Sequence, residues 1–261
     1  LKSGYNLKAY NRSHDKADRL KESGAEISVS IKDVVTNSDI IITMLTDDNA
    51  VEKVMGSDEF ISNIKEGATV IDMSSVNPVL TIKYSKKLKE KKINYLDAPV
   101  SGGTIGAEEA TLAIMIGGDE ETFKNCHELL KKMGNPTLVG PVSSGQISKL
   151  ANQIIVGVTI VAVAEAVTLC EKSGTNPSKM IEALSGGWAG SKIIQTHGKR
   201  MINKDFSPRG KTTTQLKDMT NIINAGKAVQ THLPISSLIK EMYKDLVADG
   251  HGNTDHSSLY N

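Results

Sequence analysis

A lysine followed by two amides, all predicted to lie on one face of a helix, is the pattern in this sequence that best suits proton transfer. Lys149 precedes Asn152 and Gln153, and residues three and four apart project from the same side of a helix. Ser143 with Gln146 three residues later is a capping-box pattern, which predicts that a helix starts there and places Lys149 in its second turn. The positive end of a helix biases a lysine towards losing its proton, as acid–base catalysis requires, although a single lysine considered alone is more often a solvated surface group.

A glycine-rich turn after an apolar strand offers a place for a carboxylate. Residues 94–100 form a short, mostly apolar run that breaks at Ser101, Gly102 and Gly103. Glycines let a ligand approach the main chain closely, and successive unpaired amides beside a serine hydroxyl suit a carboxylate. An ordinary strand-to-helix turn is the alternative, because glycine turns are common. Together with Lys149, this turn indicates an oxidoreductase whose substrate bears a carboxylate.

Composition narrows the classes of function. The chain has 261 residues, enough for two domains with separate cores, and its formal net charge of +1 gives no reason to expect nucleic acid or a membrane as a partner. Cys126 and Cys170 lack metal-ligand spacing, which favours reduced thiols in a cytoplasmic protein. The six histidines form no HExxH pattern, so no metal is predicted. Residues 154–164 are apolar, but Glu165 interrupts a run shorter than the roughly 18 residues of a membrane span, and we expect a buried helix.

Short apolar runs alternate with amphipathic segments in the first half of the chain, which predicts a parallel sheet with connecting helices. The predicted strands cover residues 7–10, 27–30, 39–45, 68–73, 93–100 and 112–116. After Gly140 the strand signals stop, and helical periodicity resumes after each glycine- or proline-containing break. We therefore predict an α/β domain over residues 1–141 and an all-helical domain over residues 142–261, with the boundary near Pro141.

Four motifs in one order resemble the β-hydroxyacid dehydrogenase family. They are DAPVSGG from Asp97, GAxxxTL from Gly106, GQxxKxxNQ from Gly145, and Leu216-Lys217-Asp218. The resemblance covers nearly the whole chain. It implies a Rossmann-type dinucleotide-binding domain, followed by an all-α domain through which the chain forms a homodimer or homotetramer.

The opening of such a dinucleotide-binding domain, a strand followed by GxGxxG, is missing from this chain. The chain begins at Leu1-Lys2-Ser3-Gly4, which resembles the end of the first helix leading into the second strand. In the strand order 3-2-1-4-5-6 the missing strand is central, so the strand near Leu7 would lose the neighbour that joins it to the strand near Ile40. We expect an N-terminally truncated domain that lacks roughly 20–25 residues, which on its own would bind dinucleotide poorly.

The resemblance also implies where a cofactor binds. After the strand near Leu7 the sequence reads Asn11-Arg12-Ser13, a cation with small polar groups where NAD-binding domains carry an acidic residue. A guanidinium pairs with a 2′-phosphate, so NADP is predicted, with NAD as a possible cofactor and an ordinary exposed arginine as the alternative. Further implied contacts come from strand ends and from the helical domain: Met44, Leu45, Thr46, Ser75 and Lys217, with Asp218 orienting Lys217 unless the two form a solvated pair.

The mechanism implied by the resemblance is hydride transfer to an aldehyde carbon. Lys149 would stabilise and then protonate the developing alkoxide. Ser101, Gly102 and Gly103 would hold the substrate carboxylate. Asn152 would bind the reacting oxygen or position Lys149, and Gln153 is a weaker candidate, with support of the helix as its alternative role.

Segments of the helical half indicate the substrate. ANQIIV, HGKRM and GNTDHSSL most resemble the tartronate semialdehyde reductases of the family, which predicts reduction of tartronate semialdehyde (2-hydroxy-3-oxopropanoate) to glycerate. A 3-hydroxyisobutyrate dehydrogenase or a succinic semialdehyde reductase is the alternative enzyme. A cofactor-sensing binding module or an inactive fragment is the alternative outside enzymes, and Lys149 argues against the first of these. Four residues are candidates for reading the additional hydroxyl, although His256, close to the C-terminus, is more typical of a surface group: Ser191, Lys192, Asp255 and His256.

Thr46 stands where the family usually has proline, a departure that is expected to loosen the loop but to keep a backbone contact with the cofactor possible, and three further positions also depart from the family pattern. Ala110 and Ser143 each stand where the family usually has glycine, and Gly210 stands where an aromatic residue commonly follows the proline. None of the three removes a chemical group that the reaction needs. The loss of an aromatic at Gly210 is expected to weaken local order.

Overall fold

A computed structural model describes residues 1–260, which divide into two compact units at Lys149 and Leu150. The first unit contains the following strands and helices: β1 Lys8–Ala9, α1 His14–Asp18, β2 Glu26–Ile27, α2 Ile31–Val35, β3 Ile40–Thr43, α3 Asp48–Met55, α4 Asp58–Ile61, β4 Thr69–Asp72, α5 Pro78–Glu90, β5 Asn94–Asp97, β6 Val100–Ser101, α6 Gly103–Glu108, β7 Leu112–Gly118, α7 Glu120–Lys131 and β8 Gly134–Gly140. Helix α8, Ser144–Lys172, begins in this unit and continues into the second.

The strands form two separate sheets. Strands β1 and β2 pair in parallel with each other, and the other six form a sheet in the order β3-β4-β5-β7-β6, with β8 beside β7. The strand near Leu7 (β1) and the strand at Ile40 (β3) therefore lie in different sheets, as expected from the sequence. Each of the six predicted runs overlaps a strand, although β2 shares only Ile27 with its run and every one of these strands but β7 is shorter than expected.

The prediction of an all-parallel sheet is wrong, because the large sheet is mixed. Strands β3, β4 and β5 are parallel, but β7 runs antiparallel to both β5 and β6. The link from Ser101 to Leu112 contains only the short helix α6, and a parallel crossover needs a dozen or more residues. The sequence also failed to indicate β8, an edge strand that pairs with β7 and contains Pro136, a residue that weakens a strand signal but is tolerated at an edge.

Local sequence starts the helices, and apolar packing holds them on the sheet. Asp47 caps α3, Asp119 caps α7, and Asn77 caps α5 just before a proline at its first position. One face of the sheet packs through Val70 and Tyr95 into a core with α3, α4 and α5. A second core joins β7 to α7 through Ile114 and Leu130.

The second unit is helical, as predicted. Its elements are the rest of α8, α9 Pro177–Leu184, a π-helical turn Ile194–Gly198, α10 Lys199–Ile202, α11 Thr212–Ala228, α12 Pro234–Leu246, a second π-helical turn Val247–His251 and a 3₁₀ turn His256–Tyr260. Helix α8 contributes to two cores of this unit, through Ile160 and Val167 on one side and through Leu150 and Val161 on another.

Helix α8 is longer than its predicted apolar run. By length and composition it is the one helix within residues 1–260 that could cross a membrane, with an 18-residue window of mean hydropathy 2.1. Only 33% of that window is buried, so the expectation of a buried helix is met on part of its surface alone. Ile155 and Leu169 are 65% and 68% exposed.

Two of the departures from the family's glycines fall on left-handed backbone. Ala110 has φ 55° and Ser143 has φ 82°, a region that costs an ordinary L-residue roughly 1–2 kcal/mol. The glycines of the family would adopt these angles without strain. At the third position, Gly210, a Cβ would lie 3.3 Å from the His256 ring, and the Gly210 N–H donates to Asp255, so the local backbone is anchored without an aromatic side chain.

Candidate active site

Two buried aspartates mark the ends of neighbouring parallel strands. Asp72 ends β4 and Asp97 ends β5, and the two are directly opposed in the strand register. Asp72 is 1% exposed and Asp97 is fully buried. Ligands bind outside the carboxyl ends of parallel strands, so these aspartates lie beneath the edge where a site is expected.

Asp72 connects two of the loops predicted to contact the cofactor. Its Oδ1 accepts hydrogen bonds from Thr43 Oγ1 at 2.8 Å and from Ser74 N at 3.1 Å. The Ser74 hydroxyl in turn accepts from Leu45 N at 2.9 Å. The loop after β3, which carries Met44, Leu45 and Thr46, is therefore fixed to the loop after β4, which carries Ser75.

Within these loops the predicted contacts differ in exposure. Met44 is 66% exposed and Thr46 is exposed, whereas Leu45 and Ser75 are half-buried. Thr46 Oγ1 donates to Asp47 Oδ2 at 3.0 Å, next to the cap of α3. Proline is usual in the family at the Thr46 position, and this hydrogen bond orders the loop in its place.

Asp97 holds the start of helix α8. Its Oδ1 accepts from Ser143 N at 2.7 Å and its Oδ2 accepts from Gln146 N at 2.9 Å. The predicted start of the helix is right, but the predicted capping box is wrong, because the Ser143 and Gln146 amides donate to Asp97 and not to each other's side chains. A carboxylate brought in by the sheet takes the amides that the box would have satisfied, and the Gln146 side chain turns to the loop after β4.

Burial controls the charge of both aspartates. It raises the pKa of Asp72, against the lowering effect of the hydrogen bonds from Ser74 and Thr43. Burial raises the pKa of Asp97 to about 6, although the hydrogen bonds from Ser143 and Gln146 favour its charged form. The neighbouring charge of Asp72 adds to the rise.

The predicted proton donor and the predicted substrate turn lie together. Lys149 Nζ donates to the carbonyl oxygen of Val100 at 2.9 Å, immediately before Ser101 in strand β6. Gly102 has φ 143°, which requires glycine, and Gly103 has φ 64°, which favours it. Both glycines are exposed where α6 begins. A lysine ammonium beside exposed amides and a serine hydroxyl suits a substrate with a carboxylate and a reacting oxygen.

Three predicted residues of the helical unit, Asn152, Gln153 and Lys217, are linked to one buried carboxylate. Asp218, 4% exposed, accepts from Gln153 Nε2 at 2.7 Å and pairs with Lys217 Nζ at 3.2 Å. Lys217 is thus oriented by Asp218, and the two are not a solvated pair. Asn152 Nδ2 donates to Gln153 Oε1 at 2.8 Å, so Gln153 supports both its neighbour and helix α11.

The polar residues after β1 form an exposed donor group. Asn11 Oδ1 accepts from Ser13 N at 3.0 Å, which turns the chain and leaves Arg12 exposed between them. A guanidinium flanked by an amide and a hydroxyl in solvent fits a phosphate group. That these residues select the 2′-phosphate of NADP stays a prediction.

Asp255 is a buried structural residue, so its candidacy as a reader of the substrate hydroxyl is wrong, whereas that of the half-buried His256 stays a prediction. Asp255 is fully buried, and its oxygens accept from Arg209 N, Gly210 N and the Ser257 hydroxyl. Arg200 Nη1 pairs with it at 2.8 Å. Burial alone would raise the pKa of Asp255, but these hydrogen bonds hold it well below its usual value.

A cation does not suit this cluster, although its ligand atoms are close. One atom each from His197, Asp255 and His256 lies within 4.8 Å of the others. Burial lowers the pKa of His256 to about 4, and its ring packs edge-on against His197 with centroids 4.9 Å apart. The Arg200 guanidinium already neutralises Asp255 and would repel a metal ion.

Asp72, Asp97 and Arg200 are the residues to which sequence reasoning gave no role. For the two aspartates a signal exists, because each closes an otherwise apolar strand, VID and YLD, in which a charged residue is rarely buried unless it is hydrogen-bonded. Arg200 has no comparable signal, since its partner lies far along the chain.

Comparison with known proteins covers both halves of the chain. Residues 1–143 match the family described as the NAD binding domain of 6-phosphogluconate dehydrogenase. Residues 143–261 match the family described as NAD-binding of NADP-dependent 3-hydroxyisobutyrate dehydrogenase. The predicted arrangement, a Rossmann-type domain followed by a helical domain, is confirmed.

Individual relatives agree with these matches. A 2-hydroxy-3-oxopropionate reductase from Escherichia coli (strain K12) is 40% identical over 245 residues, which is 93% of this chain and 84% of that protein. A probable 3-hydroxyisobutyrate dehydrogenase-like 1 protein, mitochondrial, from Arabidopsis thaliana is 33% identical over 99% of this chain and 78% of its own length. The structure of 3-hydroxyisobutyrate dehydrogenase from Mycobacterium tuberculosis with L-serine matches with a TM-score of 0.90 at 26% identity, covering 99% of this chain and 91% of that one.

Proposed function

Because the chain belongs to the NAD(P)-dependent β-hydroxyacid dehydrogenase family, we propose that it reduces tartronate semialdehyde to glycerate with NADPH. Membership makes it an oxidoreductase with a nicotinamide dinucleotide cofactor. The contact of Lys149 Nζ with Val100 O, next to the Ser101–Gly103 turn, is the observation that supports the chemistry most directly.

The residues of this chain perform two tasks in the proposed reaction. When bound, the reduced nicotinamide supplies the hydride that the aldehyde carbon accepts. Lys149 stabilises the negative charge that develops on the aldehyde oxygen and then delivers a proton to it. The Ser101 hydroxyl and the amides of Gly102 and Gly103 hold the carboxylate. Asn152 supports the reacting oxygen or the orientation of Lys149.

Two similarities support tartronate semialdehyde as the substrate: the overall identity to a named relative and the sequence of three helical segments. The 40% identical bacterial relative is named for that substrate, as 2-hydroxy-3-oxopropionate, and the helical segments ANQIIV, HGKRM and GNTDHSSL resemble reductases of that kind. The name of the plant relative favours a second candidate, 3-hydroxyisobutyrate dehydrogenase activity. An apolar substituent on the preferred substrate would identify the second candidate.

The proposal is tested with the full-length protein by NADPH oxidation at neutral pH with tartronate, methylmalonate and succinic semialdehydes. We expect the highest kcat/KM for tartronate semialdehyde, and loss of turnover in Lys149→Ala. Lys53→Ala, an exposed lysine on α3, is the matched control and should retain full activity. A higher kcat/KM for methylmalonate semialdehyde would show that tartronate semialdehyde is not the preferred substrate and would favour 3-hydroxyisobutyrate dehydrogenase activity. NADPH binding without turnover of any of the three aldehydes would indicate a binding module.

Cofactor selectivity is proposed to come from Arg12, with Asn11 and Ser13 as neighbouring donors. Arg12→Asp places a carboxylate where the 2′-phosphate is expected, so kcat/KM for NADPH should fall about 100-fold or more while that for NADH changes little. The matched control is Arg19→Asp, an exposed arginine at the end of α1. Equal loss with both cofactors would place Arg12 outside the recognition of the 2′-phosphate. The predicted contribution of Lys217 to cofactor binding stays a prediction.

The working state proposed for the protein is a cytoplasmic homodimer or homotetramer that needs neither nucleic acid nor a membrane. The exposed apolar residues Ile155 and Leu169 on α8 support self-association, because water disfavours apolar surface of this extent on a long helix. Light scattering coupled to size exclusion measures the assembly. A monomer at micromolar concentration would contradict it.

A further inference from the structure

The first turn of α8 is joined to the sheet by hydrogen bonds that the reaction itself does not require. Asp97 receives the amides of Ser143 and Gln146, one on each carboxylate oxygen. Lys149 lies three residues beyond Gln146 on the same helix. The position of the ammonium group is therefore set by how firmly this turn is attached to β5.

Glycines allow the turn to approach the sheet closely. A Cβ on Gly145 would lie 2.5 Å from Met115 O and 2.6 Å from Asp97 O, and a Cβ on Gly117 would lie 2.5 Å from Asp97 Oδ1. Real Cβ atoms do not approach other atoms so closely. The helix backbone is thus in direct contact with the strand backbone, where no side chain can serve as an adjustable spacer.

The Gln146 side chain extends the attachment to a second strand end. Its Oε1 accepts from Val76 N at 3.1 Å, and its Nε2 donates to Ser74 O at 2.8 Å. Gln146 is 1% exposed, so both bonds are shielded from water. The helix that carries Lys149 is consequently tied to the loop that includes Ser75, a predicted cofactor contact.

Backbone strain at Ser143 shows that the geometry of the turn is strongly determined. Ser143 has φ 82°, which is unfavourable for a residue with a side chain. This conformation directs its N–H at Asp97 with a 2.7 Å hydrogen bond. Strained conformations persist where surrounding contacts fix them, and the contact that fixes Ser143 is its hydrogen bond to Asp97.

We propose that Asp97 and Gln146 are positioning residues for the reaction of Lys149, which they serve by fixing the first turn of α8 on the ends of β4 and β5. The inference rests on the proposed function of Lys149. A displacement of about 1 Å of a catalytic group costs up to about 100-fold in rate, so loss of either attachment should act mainly on kcat. Neither side chain is required to touch the substrate.

The test compares Asp97→Asn, Gln146→Met and Lys149→Ala in the full-length protein. Asparagine keeps the shape of Asp97 but directs an amide group at one of two backbone donors, and methionine keeps the length of Gln146 without its hydrogen bonds. Asp119→Asn is the matched control, because Asp119 caps α7 through Thr122 N at 2.9 Å and is exposed. The readouts are kcat and KM, the pH profile of kcat, and amide hydrogen exchange over residues 143–150.

We expect kcat to fall at least about tenfold in both variants, with KM changed less than about threefold. Exchange at residues 143–150 should accelerate at least about tenfold, a readout that needs neither cofactor nor turnover.

The dependence of kcat on pH also tests whether Asp97 positions Lys149. Burial raises the pKa of Asp97 to about 6, with Asp72 and Tyr95 as the titratable groups beside it, so wild-type kcat should fall as pH drops through about 6. Asp97→Asn should lack this inflection, and Asp119→Asn should retain it.

Each alternative result separates the positioning proposal from the proposed function. If Lys149→Ala is inactive while Asp97→Asn and Gln146→Met keep the wild-type kcat and pH profile, the positioning proposal is wrong and the proposed function stands. If Lys149→Ala retains activity, both are wrong. If Asp97→Asn does not fold by circular dichroism, Gln146→Met decides, and wild-type exchange over residues 143–150 in that variant overturns the proposal.

Discussion

Replacing Asp255 by asparagine removes the charge at the centre of a fully buried ion pair in the helical unit. The carboxylate of Asp255 accepts from Arg209 N at 3.1 Å, Gly210 N at 3.0 Å and Ser257 Oγ at 2.6 Å, and it pairs with Arg200 Nη1 at 2.8 Å. An asparagine has one acceptor oxygen, so its amide group must face donors, and the buried guanidinium loses its counter-charge. Breaking a buried pair in this way costs about 3–5 kcal/mol of the free energy of unfolding.

Thermal unfolding followed by circular dichroism measures this loss. At about 4 °C per kcal/mol for a domain of this size, the midpoint for the helical unit should fall by about 12–20 °C. Asp249→Asn, at an exposed position of the same unit, is the control and should shift the midpoint by less than about 2 °C. A second readout separates stability from substrate recognition, since KM for the semialdehyde should be unchanged in the folded variant at low temperature. A shift below about 4 °C, or a large rise in KM with no loss of stability, would refute the structural role assigned to Asp255.

Three further predictions follow from individual contacts. Gly145→Ala should lower kcat at least about tenfold in steady-state assays, because its Cβ would lie 2.5 Å from Met115 O and the first turn of α8 must shift; a wild-type kcat would contradict this contact. Ala110→Gly should raise the free energy of unfolding by about 1 kcal/mol in urea titrations, since φ 55° suits glycine, and a loss of stability would show that the alanine is not strained. Burial lowers the pKa of His256 to about 4, so its neutral form stabilises the fold above about pH 6.5 and this contribution is lost as pH falls towards 4. The stability of the wild type relative to His256→Gln should therefore decrease by up to about 3 kcal/mol over that interval, and a constant difference would disprove it.

The elements that could be predicted are those that short-range patterns determine. Short apolar runs indicated every strand of the first unit except β6, of which only Val100 lies in a predicted run, and β8, in which Pro136 interrupts the pattern. Glycine- and proline-containing breaks separated the helices of the second unit. The start of α8 was also predictable, since Ser143 and Gln146 flank it.

The elements that could not be predicted depend on residues distant in the sequence. Asp97 contacts Ser143 and Gln146 across 46 and 49 positions, and this tertiary contact displaces the local capping box. Similarly, Asp255 is buried together with its partner Arg200, which lies far from it in the sequence. From the sequence alone, Asp255 is only a polar residue near the end of the chain. Strand β7 runs antiparallel to β6 because the link between them is too short for a parallel crossover. The sequence did not reveal this, because the link contains a helix and therefore resembles the crossover of a parallel pair.

Single-turnover kinetics of NADPH oxidation, measured for the wild type and Lys149→Ala, show whether Lys149 acts as the acid in the reduction of tartronate semialdehyde. Removal of a positioned general acid lowers the rate of the chemical step by about 100- to 10,000-fold. We predict that loss in the variant, with cofactor affinity measured by NADPH fluorescence unchanged. A variant that oxidises NADPH at the wild-type single-turnover rate would show that Lys149 is not the acid.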